Sequence, residues 1–205
     1  MSTAPELPIV VAKLGGSLAA DPSLAHWLRS LAQERSARFV VVPGGGPFAE
    51  AVRVAQHRWR FSDQIAHAMA IAAMEQFGHM ICGIESGSIP CSSVHQIEQV
   101  WSNRRLPVWM PGRLMAQDQQ LARTWDVTSD TIAAWLAHAL RAGLVLVKSC
   151  DLPDEPSDPA MLADSGIVDA ALPEYLSRTA VPLQVVHKDR WSELTQYVTR
   201  MKCRA

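Results

Sequence analysis

Two short apolar runs, each stopped by consecutive glycines, constrain this chain more than any other feature. Residues 8–14 read PIVVAKL and end at Gly15-Gly16. Residues 38–42 read RFVVV and end at Pro43-Gly44-Gly45-Gly46-Pro47. Apolar runs this short, without polar alternation, are strands buried on both faces. A helical pattern follows each. Residues 22–34 set Leu24, Trp27, Leu28 and Leu31 on one stripe, and residues 48–56 also read as helix. Strand, glycine turn and helix in that order, twice, predict an α/β fold: an open αβα sandwich around a mostly parallel central sheet.

The rest of the chain continues the alternation. Residues 62–81 are rich in Ala and Met and predict a long helix. Residues 97–101 and 108–110 are expected as a strand pair, or a strand with an irregular return, before a turn at Pro111-Gly112. Residues 129–141 predict a strong helix, and residues 144–147 (LVLV) another buried strand leading into Lys148-Ser149-Cys150-Asp151. Residues 151–165, rich in Pro and Asp, read as a loop and the one candidate flap. A short helix (168–176), a last strand (181–186) and a closing helix (191–199) complete one domain over residues 1–205.

Charge narrows the partners. With 19 basic and 20 acidic residues the net charge is −1, so no global field draws nucleic acid or an anionic membrane. Any bound anion is gripped locally. No run of about 18 apolar residues is long enough to span a bilayer, and the N-terminus lacks the basic start of a signal peptide. Cys82, Cys91, Cys150 and Cys203 contain no C-x-x-C pair and no zinc or disulfide spacing, so they read as free thiols in the cytoplasm. No metal cluster is expected.

Ligands of parallel sheets bind beyond the carboxyl ends of the strands. Both glycine loops begin at such ends and open onto helices. Successive glycines let backbone N–H groups converge on an anion, helped by the helix dipole. Neither loop is a Walker A motif or a dinucleotide fingerprint. Lys13 is the sharpest single residue, because a charge inside an apolar strand is costly unless paired or used. Its expected use is a cation over a phosphoryl group in flight. Thr128 or Ser129 is expected to cap the helix that begins there. Asp130 suits that helix's first turn, which leaves Asp126 unexplained.

These segments resemble the amino acid kinase superfamily, which includes aspartate, glutamate, acetylglutamate, uridylate and isopentenyl-phosphate kinases. VAKLGGSL is similar to the family's first strand and glycine loop, and VVPGGGPFA to its second loop. VTSDTIAAWLA is similar to its Asp-bearing helix start, and LVLVKSCDLP to the start of its nucleotide side. The resemblance implies an ATP-dependent kinase using Mg²⁺, usually oligomeric, with a small-molecule acceptor. It implies Lys13 as the phosphate-stabilising lysine, Asp130 as the organiser of lysines, and Gly15, Gly16 and Ser17 at the ATP phosphates. Gly44, Gly45 and Gly46 fall at the acceptor and γ-phosphate, with Ser149 and Asp151 on the nucleotide side. Larger relatives carry a second catalytic lysine in a C-terminal Gly-Gly-Met segment that is absent here. Residues 143–205 are therefore a shortened nucleotide half beside an acceptor half at 1–142, and Lys148 is the lysine nearest the expected place. Length and the SDQIAHAMAIAAMEQFG helix most resemble the small kinases of methanofuran biosynthesis, whose acceptor is an aminomethylfuran methyl phosphate.

On the acceptor side, Arg58 and Arg60 are the candidate phosphate holders. Asp63 and His67, four apart, read either as a solvated pair or as pocket residues, Asp63 then meeting an amine. Asp126, Thr128 and Ser129 complete the expected acceptor set, and Trp125 is a candidate aromatic wall. Another kinase of the superfamily, or a non-catalytic oxyanion-binding protein on the same fold, remains an alternative at this stage.

Overall fold

The computed structural model describes residues 7–153 and 158–202, the last three by backbone alone. Six strands form one sheet: β1 (Ile9–Leu14), β2 (Arg38–Pro43), β3 (Ser88–Cys91), β4 (Leu106–Trp109), β5 (Gly143–Lys148) and β6 (Leu183–His187). Their order is β3-β4-β2-β1-β5-β6, and every pairing is parallel. Parallel neighbours require crossovers. These are supplied by α1 (Ser23–Gln33), α2 (Gly46–Trp59), α3 (Asp63–Ile84), α4 (Val94–Ser102), α5 (Gly112–Gln117), α6 (Ser129–Ala139), α7 (Pro159–Asp164) and α8 (Leu172–Thr179), with α9 (Leu194–Lys202) closing the chain.

Helices cover both faces, as the apolar strands require. Val11 of β1, Val40 and Val42 of β2, and Leu144 and Leu146 of β5 pack with α6 and α8 on one face. Val10, Val41, Val145 and Val147 pack with Trp27, Leu28 and Leu31 of α1 and Phe77 and Ile81 of α3 on the other. The expected open αβα sandwich is the observed architecture. Period-two alternation then fixes two cations. Lys13 follows Val11 by two residues and Lys148 follows Leu146 by two, so both extend the α6 face of the sheet.

Some elements differ from expectation. Residues 97–101 lie within α4, not in a strand; Ile97 and Val100 are three apart and both face the core, and Ser93 caps the helix by accepting from Gln96 N. The strand of that region is β3, whose SIPC sequence carries little apolar signal. Pro111-Gly112 opens α5 and is not a simple turn. The loop expected over 151–165 contains α7, capped by Asp158 accepting from Ala160 N; residues 154–157 and Cys203 lie outside the described residues. The closing helix begins at Leu194, after a 3-10 stretch at Lys188–Glu193. Among the described residues no helix is long and apolar enough to cross a membrane.

Candidate active site

β2, β1 and β5 are adjacent, so their carboxyl ends deliver three loops to one edge of the sheet. The loops are tied to the strand ends. Gly15 N donates to Val147 O at 3.2 Å, and Gly44 N donates to Leu14 O at 2.8 Å. They also press on each other. A Cβ on Gly16 would lie 2.2 Å from Gly46 N, and one on Gly44 would lie 2.5 Å from Gly16 N. Gly46 further adopts φ +57°, a left-handed conformation that side chains disfavour. The clash at Gly45 is with Ala49 Cβ, at 2.3 Å. These glycines are therefore required first by the contact between loops and by the start of α2, a reason that spacing alone did not supply.

On the α6 face Asp130 joins the two strand lysines. Lys148 Nζ donates to Asp130 Oδ2 at 2.6 Å, and Lys13 Nζ lies 2.8 Å from Oδ1. Lys13 is 4% exposed and Asp130 3%. Burial alone would push the Asp130 pKa up, but Lys13 and Lys148 outweigh it and hold the carboxyl below its ordinary value. Burial, with Lys13 as a neighbouring positive charge, lowers the Lys148 pKa despite the attraction of Asp130. One carboxylate thus holds two cations at the strand ends, where they can meet an incoming anion.

Asp169, which sequence reading passed over, positions this carboxylate. Neither Thr128 nor Ser129 caps α6 through its side chain. The Asp169 carboxylate accepts instead from Thr128 N and Oγ1, both at 2.9 Å, and from Thr131 N at 3.0 Å. It also accepts from Leu172 N at the start of α8, while Asp169 N donates to Asp130 Oδ2 at 3.3 Å. A cap that arrives from 41 residues downstream leaves no local signature in sequence. On the opposite side of the loops, Ser149 Oγ donates to Ser17 Oγ at 2.7 Å and links the ends of β5 and β1.

Beside the loops lies a cavity of about 490 Å³. Of the expected site residues, Gly16, Ser17, Gly45, Gly46, His67, Thr128 and Ser129 line it. Ala70, Ile71 and Met74 of α3, with Val127 and Ile132, make its apolar wall. His67 is buried and its Nδ1 lies 3.2 Å from Thr124 O, which fixes Nδ1–H as the donor. Burial lowers its pKa, so the ring is neutral near pH 7. Arg58 and Arg60 are exposed at the C-terminal end of α2 and do not line the cavity; Arg53, two turns nearer the loops, does. Its guanidinium lies 3.8 Å from the centroid of the Trp125 ring. Asp63 is exposed and accepts from Gln56 Nε2, and Gln56 Oε1 accepts from Trp125 Nε1. Asp126 and Asp151 are exposed and also lie off the cavity wall.

Two glycine loops and a buried Lys–Asp–Lys cluster stand at the ends of three parallel strands of an α/β protein. The amino acid kinase family model matches residues 8–151. The chain belongs to the amino acid kinase family. It is 25% identical over 139 residues to the [5-(aminomethyl)furan-3-yl]methyl phosphate kinase of Methanocaldococcus jannaschii. That match covers 67% of this chain and 63% of the relative, less than two thirds of its length. Among solved structures, the uridylate kinase of Archaeoglobus fulgidus superposes with a TM-score of 0.61 at 18% identity, covering 87% of this chain and 90% of that one. The Giardia lamblia carbamate kinase bound to AMP-PNP gives 0.58 at 12% identity, covering 94% and 96%. At such identities the structures establish the fold.

Proposed function

We propose that this chain transfers the γ-phosphoryl group of ATP to a small phosphomonoester, and that the acceptor is (5-aminomethylfuran-3-yl)methyl phosphate. The observation that carries the reading is the buried Lys13–Asp130–Lys148 cluster set beside an apolar cavity. An acceptor phosphate oxygen is already nucleophilic, so no strong base is needed. It attacks the γ-phosphorus in line, the bond to the β,γ-bridging oxygen breaks, and ADP leaves. Lys13 and Lys148 neutralise the charge that spreads over the transferring group, and Asp130 holds both in place. The N-terminus of α2 and the loop N–H groups orient the phosphates.

Residues 143–205 form the nucleotide half in this reading, with Ser149, Asp151 and the Gly15–Ser17 loop toward ATP. Mg²⁺ would arrive with ATP and add to the charge neutralisation that Lys13 and Lys148 provide. The cavity walls suit a furan-sized ring, and Arg53 takes the role expected of Arg58 and Arg60 as the cation toward the acceptor. Free Cys82, Cys91 and Cys150 fit a cytoplasmic setting. Exposed Trp59, Ile65 and Met69 fit burial against a second copy, which sedimentation equilibrium measures.

The test is ADP release and ³¹P spectroscopy with ATP and a panel of acceptors. A diphosphate product is expected from the furan phosphate, with no reaction of free aspartate or glutamate. Arg53→Ala is expected to raise the acceptor KM about tenfold or more with little change in the ATP KM. Efficient phosphorylation of a free amino acid would overturn the reading.

A further inference from the structure

The α2 wall of the cavity carries two opposite charges that ignore each other. Glu50 and Arg53 are one turn apart and both line the cavity. Neither makes a salt bridge among the described residues: the Arg53 guanidinium lies over Trp125, and Glu50 has no hydrogen-bond or ionic partner. Trp125 is in turn anchored by its Nε1 donating to Gln56 Oε1 at 2.7 Å, which fixes the platform on which Arg53 rests. Glu50 is also the only carboxylate among the residues lining the cavity. Asp63, the acid expected at this position, is committed to Gln56 outside it.

We infer that Glu50 is the residue that selects a protonated amine on the acceptor, at the end remote from the reacting phosphate. The inference rests on the phosphomonoester reading given above. Glu50 lies four residues, roughly 6 Å along the helix axis, beyond Gly46. A phosphate seated at the start of α2 therefore leaves the opposite end of a furan-sized molecule near the Glu50 carboxylate. His67 belongs to the same subsite. With Nδ1–H donated to Thr124 O, its neutral ring keeps Nε2 as an acceptor and adds no positive charge that would repel an ammonium. The cavity wall is then complementary to a zwitterion. The carboxylate meets the ammonium and the glycine loops hold the phosphate, while Arg53, one turn further along α2 and seated over Trp125, adds only long-range attraction for the phosphate. An unpaired carboxylate in a phosphate-binding cavity repels every acceptor that lacks a cation, so Glu50 acts by rejection as well as by attraction.

The experiment measures binding by calorimetry and turnover separately. Two furan methyl phosphates are compared, one with an aminomethyl group and one with a hydroxymethyl group at the same ring position. The wild-type protein is expected to bind the amine on the order of tenfold more tightly, the scale of a charge-assisted hydrogen bond. Glu50→Gln is expected to bring the two affinities together, and Glu50→Lys to reverse the preference. Glu50 is exposed on a helix, so both variants retain the fold; circular dichroism checks this. A wild type without preference, or a Glu50→Gln protein that keeps it, overturns the inference. Preferential amine binding without phosphoryl transfer upholds Glu50 as the ammonium site and overturns the kinase reading instead. Binding of neither compound overturns both.

Discussion

Lys13 and Asp130 sit in one cluster, yet their removal has different consequences. Lys13→Ala leaves Asp130 paired with Lys148 at 2.6 Å, so no buried charge is stranded. Turnover is expected to fall by about two to three orders of magnitude, the scale of losing one aimed electrostatic group, with the fold kept. A kcat within about threefold of wild type would make Lys13 structural. Asp130→Ala instead leaves two lysines facing each other, and about 3–5 kcal/mol of stability is expected to go with it in urea denaturation. Asp130's depressed pKa sets the acid side. Its contribution to stability is complete above the unfolded carboxylate value near 4 and is lost as pH falls through the lower folded value. Lys148 sets the alkaline side. Its pKa is lowered, and it loses its proton as pH rises through that value, so kcat/KM is expected to decline below the ordinary lysine range near 10.4. Lys148→Arg, which does not titrate there, removes the limb; a limb that persists in the Arg variant assigns it to another group. Lys13 stood out in the sequence as a charge in an apolar strand and Asp130 as an acid in a first helical turn, whereas Lys148 was placed only by the family resemblance. Arg53 and Asp169 were not legible, because their roles arise only when α2 meets Trp125 and when residues 41 apart meet at the start of α6.

At the scale of elements, backbone contact limits what the loops tolerate. Gly16→Ala would put a Cβ 2.2 Å from Gly46 N and 2.7 Å from Gly46 Cα, both backbone atoms that move only if the loops part. A loss of about 1–3 kcal/mol is expected, with weaker binding of both substrates. Gly83→Ala is the control. It lies in α3 with nothing within 4 Å of its added Cβ, and it is expected to be stabilising by up to about 1 kcal/mol. Equal thermal midpoints for the two variants would show that the loops are not tightly joined. The elements that sequence located well are those with continuous apolar runs, β1, β2 and β5, and the strongly patterned α1 and α6. β3 escaped because Ser88 and Pro90 break its run, and α4 was taken for strand because Ile97, Val100 and Trp101 cluster in so short a stretch. α7 lay inside a Pro- and Asp-rich segment, where Asp158 and Pro159 proved to be a helix start and not merely loop residues.

At the scale of the whole molecule, the strand order places the candidate site. β1 lies between β2 and β5, and the chain leaves it toward β2 first and returns to its other side only at β5. The two glycine loops therefore come from the first half of the sequence, and Lys148 arrives from the second. In the proposed function, substrate and nucleotide bridge parts of the chain more than 100 residues apart, as the Ser17–Ser149 contact, 132 residues apart, already does. A ligand that spans these strand ends stabilises the native state and not the unfolded chain. With AMP-PNP at about 100 times its Kd the gain is about 2.7 kcal/mol, which for a chain of this size raises Tm by about 5–10 °C. The furan phosphate alone is expected to shift Tm as well, and the two together by more than either, since both draw on the same lysine cluster from opposite sides. In Lys148→Ala the AMP-PNP shift is expected to shrink, while the shift from the furan phosphate, which the proposed function seats on the α2 side of the loops, changes less. If Lys148→Ala weakens both shifts equally, the nucleotide and acceptor do not occupy the separate halves that the proposed function gives them.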